Sequence, residues 1–475
     1  MAPQFRSRRA APALFVALLL AGCASVPKLG PAPELRSPSA LESAKSLAAP
    51  SAPWPDRSWW AAYGDPQLTR LIEDALAGSP TLEAAAARVR AAQAVVQQTA
   101  GGPNLSAEVQ GSAQLAKQSS NMGIPEEFVP KGIRTTGQAA FSFNLDLDLW
   151  GRNRAALAAA TSEAEAARVD AEQARLVLTS AVGQAYVDFA RLFIGRDLAV
   201  QAVEVRAGTH GLLAQRAGAG LIAPVEATQA SAAERAARAE LASIDEQIAL
   251  TRNRLAALAG AGPDRGLTLT RPAGTALHPV GLPQNIALEL IGRRADIVSA
   301  RLRAEAAASR IRQARAEFYP NVNLAGIIGL QSLGLTKLID AGSTFGNAGP
   351  AISLPLFNQG TLSGRYGEAR ARYDEAVATY NEALTTALRE VADVVASERA
   401  LTVRLGEERA ALADAEAAYA AARRRHEAGL STRLELLSAE DALLPRRQAV
   451  AELEARALSL DVALMRALGG GFERR

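Results

Sequence analysis

One cysteine, three histidines and three methionines among 475 residues leave little material for redox or metal chemistry. With Cys23 alone, an internal disulfide and a Cys-based metal cluster are both excluded. His210, His278 and His426 lie far apart and lack metal-ligand spacing, so neither a metal site nor any other cofactor is expected. A phosphate-cradling Gly-Lys-Ser/Thr loop and a Gly-x-Ser-x-Gly elbow are also missing, and the chain does not read as an enzyme. Beyond the N-terminal run, no segment has the roughly 18 apolar residues a spanning helix needs. A membrane crossing by the rest of the chain would therefore have to use strands. The formal charge of +3 is carried by the leader, because Arg6, Arg8 and Arg9 precede Cys23 with no acid among them. The near-neutral remainder gives no reason to expect a nucleic-acid partner.

What the sequence does have begins at its N-terminus. A basic start and an apolar run from Ala10 to Ala21 form a secretory signal over residues 1–22. Leu18-Leu19-Leu20-Ala21-Gly22-Cys23 resembles a bacterial lipobox, which implies cleavage before Cys23 and its lipidation. Ala24, rather than Asp, resembles lipoproteins sorted to the outer membrane. Pro27, Pro31, Pro33, Pro38, Pro50, Pro53 and Pro55 then predict an extended tether over 23–66.

The remainder repeats. Gly151, Arg216, Gly220, Leu221, Glu226, Leu255 and Gly260 recur as Gly360, Arg425, Gly429, Leu430, Glu435, Leu464 and Gly469, always 209 residues later. Glycine pairs held at one offset are not expected from an Ala-rich composition. Pro103-Asn104 recurs as Pro320-Asn321 at offset 217, which places a length change between two strands of the first half. The halves are 67–261 and 285–475, joined by a Pro/Gly-rich linker over 262–284.

Each half reads as helix, two strands, a very long helix, a turn and a further helix. Alternation of apolar and polar residues predicts strands near 104–117, 138–150, 321–331 and 348–357. Asp146 and Asp148, two apart, are expected to share the polar, lumen-facing side of the second strand. Trp150 and Phe357 end two strands where an interfacial aromatic would sit. Long helices are predicted near 152–217 and 361–427, since no Pro interrupts either. The second keeps a heptad with Glu398 as its one polar break, so it packs as a coiled coil. Four strands in lipid cannot leave their edges unpaired, so more than one chain is required.

Specific residues carry a resemblance to the outer-membrane efflux protein family, the TolC-like channels, and to its lipoprotein branch. They are Leu145-Asp146-Leu147-Asp148-Leu149-Trp150-Gly151-Arg152, Arg294-Ala295-Asp296-Ile297, Ala314-Arg315-Ala316-Glu317-Phe318-Tyr319-Pro320, Leu354-Pro355-Leu356-Phe357 and Ala467-Leu468-Gly469-Gly470-Gly471-Phe472. Ala295 and Asn358-Gln359-Gly360 depart from the family pattern. The resemblance implies a mainly α protein with membrane β structure. Three chains would form a twelve-stranded outer-membrane β-barrel continued by a twelve-helix periplasmic α-barrel. It also implies a homotrimer in outer-membrane lipid, working with a periplasmic membrane-fusion adaptor and an inner-membrane RND-type transporter. By the same resemblance, Glu435 would face a pore gate, and the turns at Gly220-Leu221 and Gly429-Leu430 would dock the adaptor; His426 and Arg433, from their place beside Glu435, are expected to tether neighbouring helices at that gate. The function implied is a passive exit duct for drugs or other small molecules. A duct for type I protein secretion or for metal cations, and a periplasmic coiled-coil scaffold lipoprotein, stay open at this point.

Overall fold

The computed structural model describes residues 25–48, 52–102, 104–119, 121, 123, 125–273, 283, 286–355 and 357–473. The signal segment, Cys23, His278 and much of the linker lie outside the described residues. The elements run α1 (Pro66–Gly78), α2 (Pro80–Gly101), β1 (Leu105–Ala116), β2 (Arg134–Asp146), α3 (Arg152–Gly218), α4 (Pro224–Leu258) and the short α5 (Asp264–Leu267). The second half follows with α6 (Ile286–Arg293), α7 (Ala295–Ala316), β3 (Asn321–Leu333), β4 (Thr344–Ser353), α8 (Gln359–Glu427) and α9 (Arg433–Ala467). The chain divides into two compact units. One holds the sheet and the helix segments next to it (to Leu35, 88–167, 300–380), and the other holds the remaining helices.

In the sheet unit, four antiparallel strands pair in chain order, β1-β2-β3-β4. Residues opposite one another across an antiparallel ladder share a face. The register therefore sorts the side chains cleanly. Val109 faces Phe141, Phe141 faces Ile328, and Val322 faces Ile352, so these fall on one apolar face with Leu105, Phe143 and Leu324. The other face carries Ser106, Glu108, Gln110, Ser142, Asn144, Asn323 and Asn347. Two expected strands shift toward the N-terminus by about four residues. The second spans Arg134–Asp146 rather than 138–150; the Leu147 amide still reaches the Val322 carbonyl at 3.2 Å, and the left-handed Asp148 then turns the chain into α3. The fourth spans Thr344–Ser353 rather than 348–357, since Pro355 has no N–H to donate to a ladder. Alternating hydropathy marks strand-like sequence and does not register where the hydrogen bonds stop.

The proline-rich start is not a free tether where it is described. Gln359 Nε2 donates to Ser25 Oγ at 3.1 Å, Arg370 donates to the Gly30 carbonyl at 3.1 Å, and Tyr373 donates to that of Pro33. These bonds lay residues 25–33 along the first turns of α8. Farther on, the segment before α1 enters the core of the helical unit. Trp59, Trp60 and Tyr63 are buried with Leu71 and Ile72 of α1, Val182, Tyr186 and Phe189 of α3 and Leu255 of α4. Asp65 caps α1 by accepting from the amides of Gln67 and Leu68, and it also accepts from the Tyr186 hydroxyl at 2.7 Å. The tether is thus shorter than 23–66, because three large aromatics gain more from burial than from solvent.

The repeat has a physical counterpart in the helix ends. Gly220, Gly260, Gly429 and Gly469 all have positive φ. In each case the following N–H reaches five residues back and the glycine N–H three back: Leu221 to Arg216, Ala261 to Ala256, Leu430 to Arg425 and Gly470 to Met465. This is the Schellman closure, which needs a left-handed residue. Gly260 and Gly469 carry a second demand. A Cβ on Gly260 would strike the Gly78 carbonyl, and one on Gly469 that of Arg293. Beside the latter, buried Arg294 bridges Asp296 at 2.6 Å and Glu390 at 2.7 Å and donates to the Ala467 carbonyl at 3.0 Å. The motif thus ties α7, α8 and the end of α9 together. We expect Gly260→Ala or Gly469→Ala to cost about 3 kcal/mol, against about 1 kcal/mol for Gly220→Ala, where the added methyl meets open space. Urea unfolding of the three variants checks the order.

Glu398, the polar break in the heptad, lies near the buried Leu401, Leu453 and Leu460 cluster, with one carboxylate oxygen buried and unbonded. Burial above all, and then Asp461, push its carboxyl above the usual range, against a smaller opposing effect of Arg456. The folded chain therefore binds this proton more tightly than the unfolded chain. The stabilisation is complete below the ordinary carboxylate value and fades as pH rises through the raised one. Thermal unfolding midpoints measured from about pH 4 to 8 should fall less steeply with rising pH in Glu398→Gln than in the parent.

Candidate functional site

Function can reside at two places, the junction between sheet and helix and the turns that close the long helices. At the junction, Asp146 ends β2 and Arg152 opens α3. Asp146 is buried, pairs with Arg152 at 2.9 Å, accepts from Asn153 Nδ2 at 3.1 Å and takes the Asp148 amide at 2.9 Å. Asp148 follows with φ of 45°, the one described non-glycine residue with positive φ. Its carboxylate caps α3, accepting from the amides of Asn153 at 2.9 Å and Arg154 at 3.0 Å and from Arg154 Nε at 3.2 Å. Burial works against its charge, but those amides and the Arg154 guanidinium outweigh it and hold the carboxyl below its usual range.

The expectation that both acids lie on the polar side of the second strand is therefore corrected for Asp148 alone. Asp148 is not on the strand at all, and Asp146, though on the polar face, is neutralised by Arg152. Both charges hold the chain as it passes from strand to helix. The acid on that face without a partner among the described residues is Glu108. It is exposed and has neither hydrogen bond nor ion pair among the described residues. Sequence alternation placed Glu108 on the polar side but could not rank it above two neighbours whose charge is used locally. Trp150 stacks on Tyr319 at 4.7 Å and donates its indole N–H to the Pro320 carbonyl at 2.8 Å. Half its surface stays exposed, and Phe357 is 97 % exposed.

At the turns of the helical unit, Leu221 and Leu430 are 73 % and 71 % exposed beside Gly220 and Gly429. Glu435 belongs to a capping box. Thr432 Oγ1 accepts the Glu435 amide at 3.3 Å, and the Glu435 carboxylate accepts from the Thr432 amide and hydroxyl. Those Thr432 bonds, then the charge of Arg425, hold its carboxyl below the ordinary range. His426 Nδ1 lies 3.1 Å from the Ser431 carbonyl, and Arg433 is exposed at the first position of α9. The remaining described histidine, His210, meets Glu234 at 2.6 Å across α3 and α4. Among the described residues no group of three or more His, Cys, Asp or Glu could hold a metal ion.

The junction gives a direct prediction. Asp148→Ala should lose about 2 kcal/mol, combining a lost helix cap with a left-handed alanine. Asp148→Gly, which relieves the backbone, should recover part of it. Urea unfolding of the two variants beside the parent would measure the split.

The comparisons with known proteins agree with this geometry. The model of the outer membrane efflux protein family matches residues 71–261 and 287–470. The chain is 30 % identical over 475 residues to the multidrug resistance outer membrane protein MdtP of Escherichia coli K12, covering 96 % of this chain and 94 % of that one. It is 32 % identical over 391 residues to the fusaric acid resistance protein FusA of Burkholderia cepacia, covering 78 % and 70 %. Among solved structures, the outer membrane protein VceC of Vibrio cholerae is 42 % identical, with a TM-score of 0.81 over 88 % of this chain and all of that one. The outer-membrane channel OprN is 26 % identical, with a TM-score of 0.81 over 94 % of this chain and 99 % of that one. A sheet with one continuous apolar face, two long Gly-closed helices and a family match in both repeats lead to one conclusion: the chain belongs to the outer membrane efflux protein family and is an efflux channel component of the outer membrane.

Proposed function

We propose that three copies of this chain close a twelve-stranded barrel and form the passive exit duct of a tripartite efflux system. The observation that carries this is the sheet itself. Its apolar face runs across all four strands, while β1 and β4 each have one edge with no partner strand among the described residues. In lipid each unpaired backbone group costs several kcal/mol, so the edges must be closed by further copies. Cargo enters from a periplasmic membrane-fusion adaptor coupled to an inner-membrane RND-type transporter. The exposed Leu221 and Leu430, each beside a glycine that tightens the turn, are the surface we assign to that adaptor. Glu435, His426 and Arg433 are assigned to the pore mouth formed where the three copies meet. Lipidated Cys23 anchors the chain to the membrane from the segment that Gln359 and Arg370 hold along α8. The cargo class is drugs or other small molecules, in keeping with the multidrug resistance and fusaric acid resistance proteins that the chain resembles.

Planar-bilayer recording of the detergent-purified protein, beside Glu435→Ala, tests the reading. A trimer giving discrete conductance steps, with open probability raised in the variant, is the expected result. Steps that the substitution leaves unchanged would retain the duct and remove Glu435 from its mouth. A well-folded protein that stays soluble without detergent would overturn the duct.

A further inference from the structure

The four strands carry only three charged side chains, Glu108, Arg134 and Asp146. All three fall on the polar face, because Glu108 lies opposite Ser142 while Arg134 and Asp146 are separated from Ser142 by even numbers of residues. Asp146 is neutralised by Arg152 at 2.9 Å. Arg134 lies opposite Ala116, eight residues along β1 from Glu108. At about 3.3 Å per residue it is roughly 26 Å away, against a screening length of about 8 Å at physiological salt. Around Glu108 this face offers Ser106, Gln110, Ser142, Asn144, Ile327 and Asn347, none of them a cation. Its carboxylate is exposed and has no partner among the described residues.

We propose that Glu108, one per chain, is the fixed charge that gives the membrane-spanning part of the duct its preference for positively charged solutes. The inference rests on the duct reading above. Three copies place three carboxylates at one level of a water-filled barrel whose walls are otherwise uncharged there. Rings of acidic side chains raise the local concentration of cations and lower that of anions. The cargo class so favoured is organic cations and amines over carboxylates and phosphates. The acid selects by field alone and needs no bound metal.

The test uses the full-length protein in outer membranes and a reporter thiol introduced by Gln110→Cys, two residues along the same face. The lipidation proposed for Cys23 leaves no competing thiol. Labelling rates with a positively charged and a negatively charged water-soluble methanethiosulfonate are compared at physiological ionic strength, where Arg134 is screened. With Glu108 present, the cationic reagent should react several-fold faster than the anionic one, and Glu108→Gln should reduce that ratio by about threefold or more. Glu108→Asp should keep the preference and Glu108→Lys should reverse it, which separates charge from packing. Equal ratios with and without the Glu108→Gln substitution would overturn the proposal while leaving the duct intact. A reporter thiol that reacts with a membrane-soluble maleimide but with neither water-soluble reagent would place this face in lipid. That result would overturn the barrel orientation and the proposal together.

Discussion

Backbone hydrogen bonding in a medium without water is the constraint on which the rest of this molecule depends. A strand surrounded by hydrocarbon has nowhere else to send its N–H and C=O groups, and each one left unpaired costs several kcal/mol. Four strands in simple antiparallel order satisfy their inner edges and leave two outer ones. The continuous apolar face makes burial in lipid favourable, and the open edges make a lone chain in lipid unfavourable. The oligomer follows from the conflict between those two terms rather than from any single contact.

A chain that changes from strand to helix at a membrane boundary must change its hydrogen-bonding partners within a few residues. At the end of β2 this is done by two acids used for local structure. Asp146 takes the last turn amide and the Arg152 charge, and Asp148 caps the new helix from a left-handed conformation. Trp150, half exposed, stacks on Tyr319 at the same junction. Using two carboxylates this way leaves Glu108 as the acid without a partner on the polar face.

The helices meet a different requirement. At about 1.5 Å per residue, the 67 residues of α3 make roughly 100 Å of helix, and alanine-rich sequence lets neighbours approach closely. What such helices need is accurate termination, and the four equivalent glycines provide it. Two of them also lie against the backbone of another helix end, so the same residue type both closes a helix and allows a close approach. The capping box at Thr432 and Glu435 serves the start of α9 in the same way. An acid there has a structural task whatever else it does at a pore.

Sequence alone determined the order of elements, the two repeats, the alternation of the strands and the positions of the turn glycines. These follow from local periodicity and from backbone conformations that only certain residues adopt, so they are written in neighbouring residues. Family membership was legible for the same reason, in short motifs at the junctions. Tertiary structure alone decided where β2 stops, because Asp148 turns left-handed while its partner strand and the alternating hydropathy both continue past that point. It also decided that Trp59, Trp60 and Tyr63 belong to the core rather than to a tether, since their partners on α1, α3 and α4 are distant in sequence. Above all it decided which acid is left without a partner. Asp146, Asp148 and Glu108 look alike in an alternating strand, and only the positions of Arg152, of Arg154 and of the first amides of α3 show that two of them are engaged and one is not.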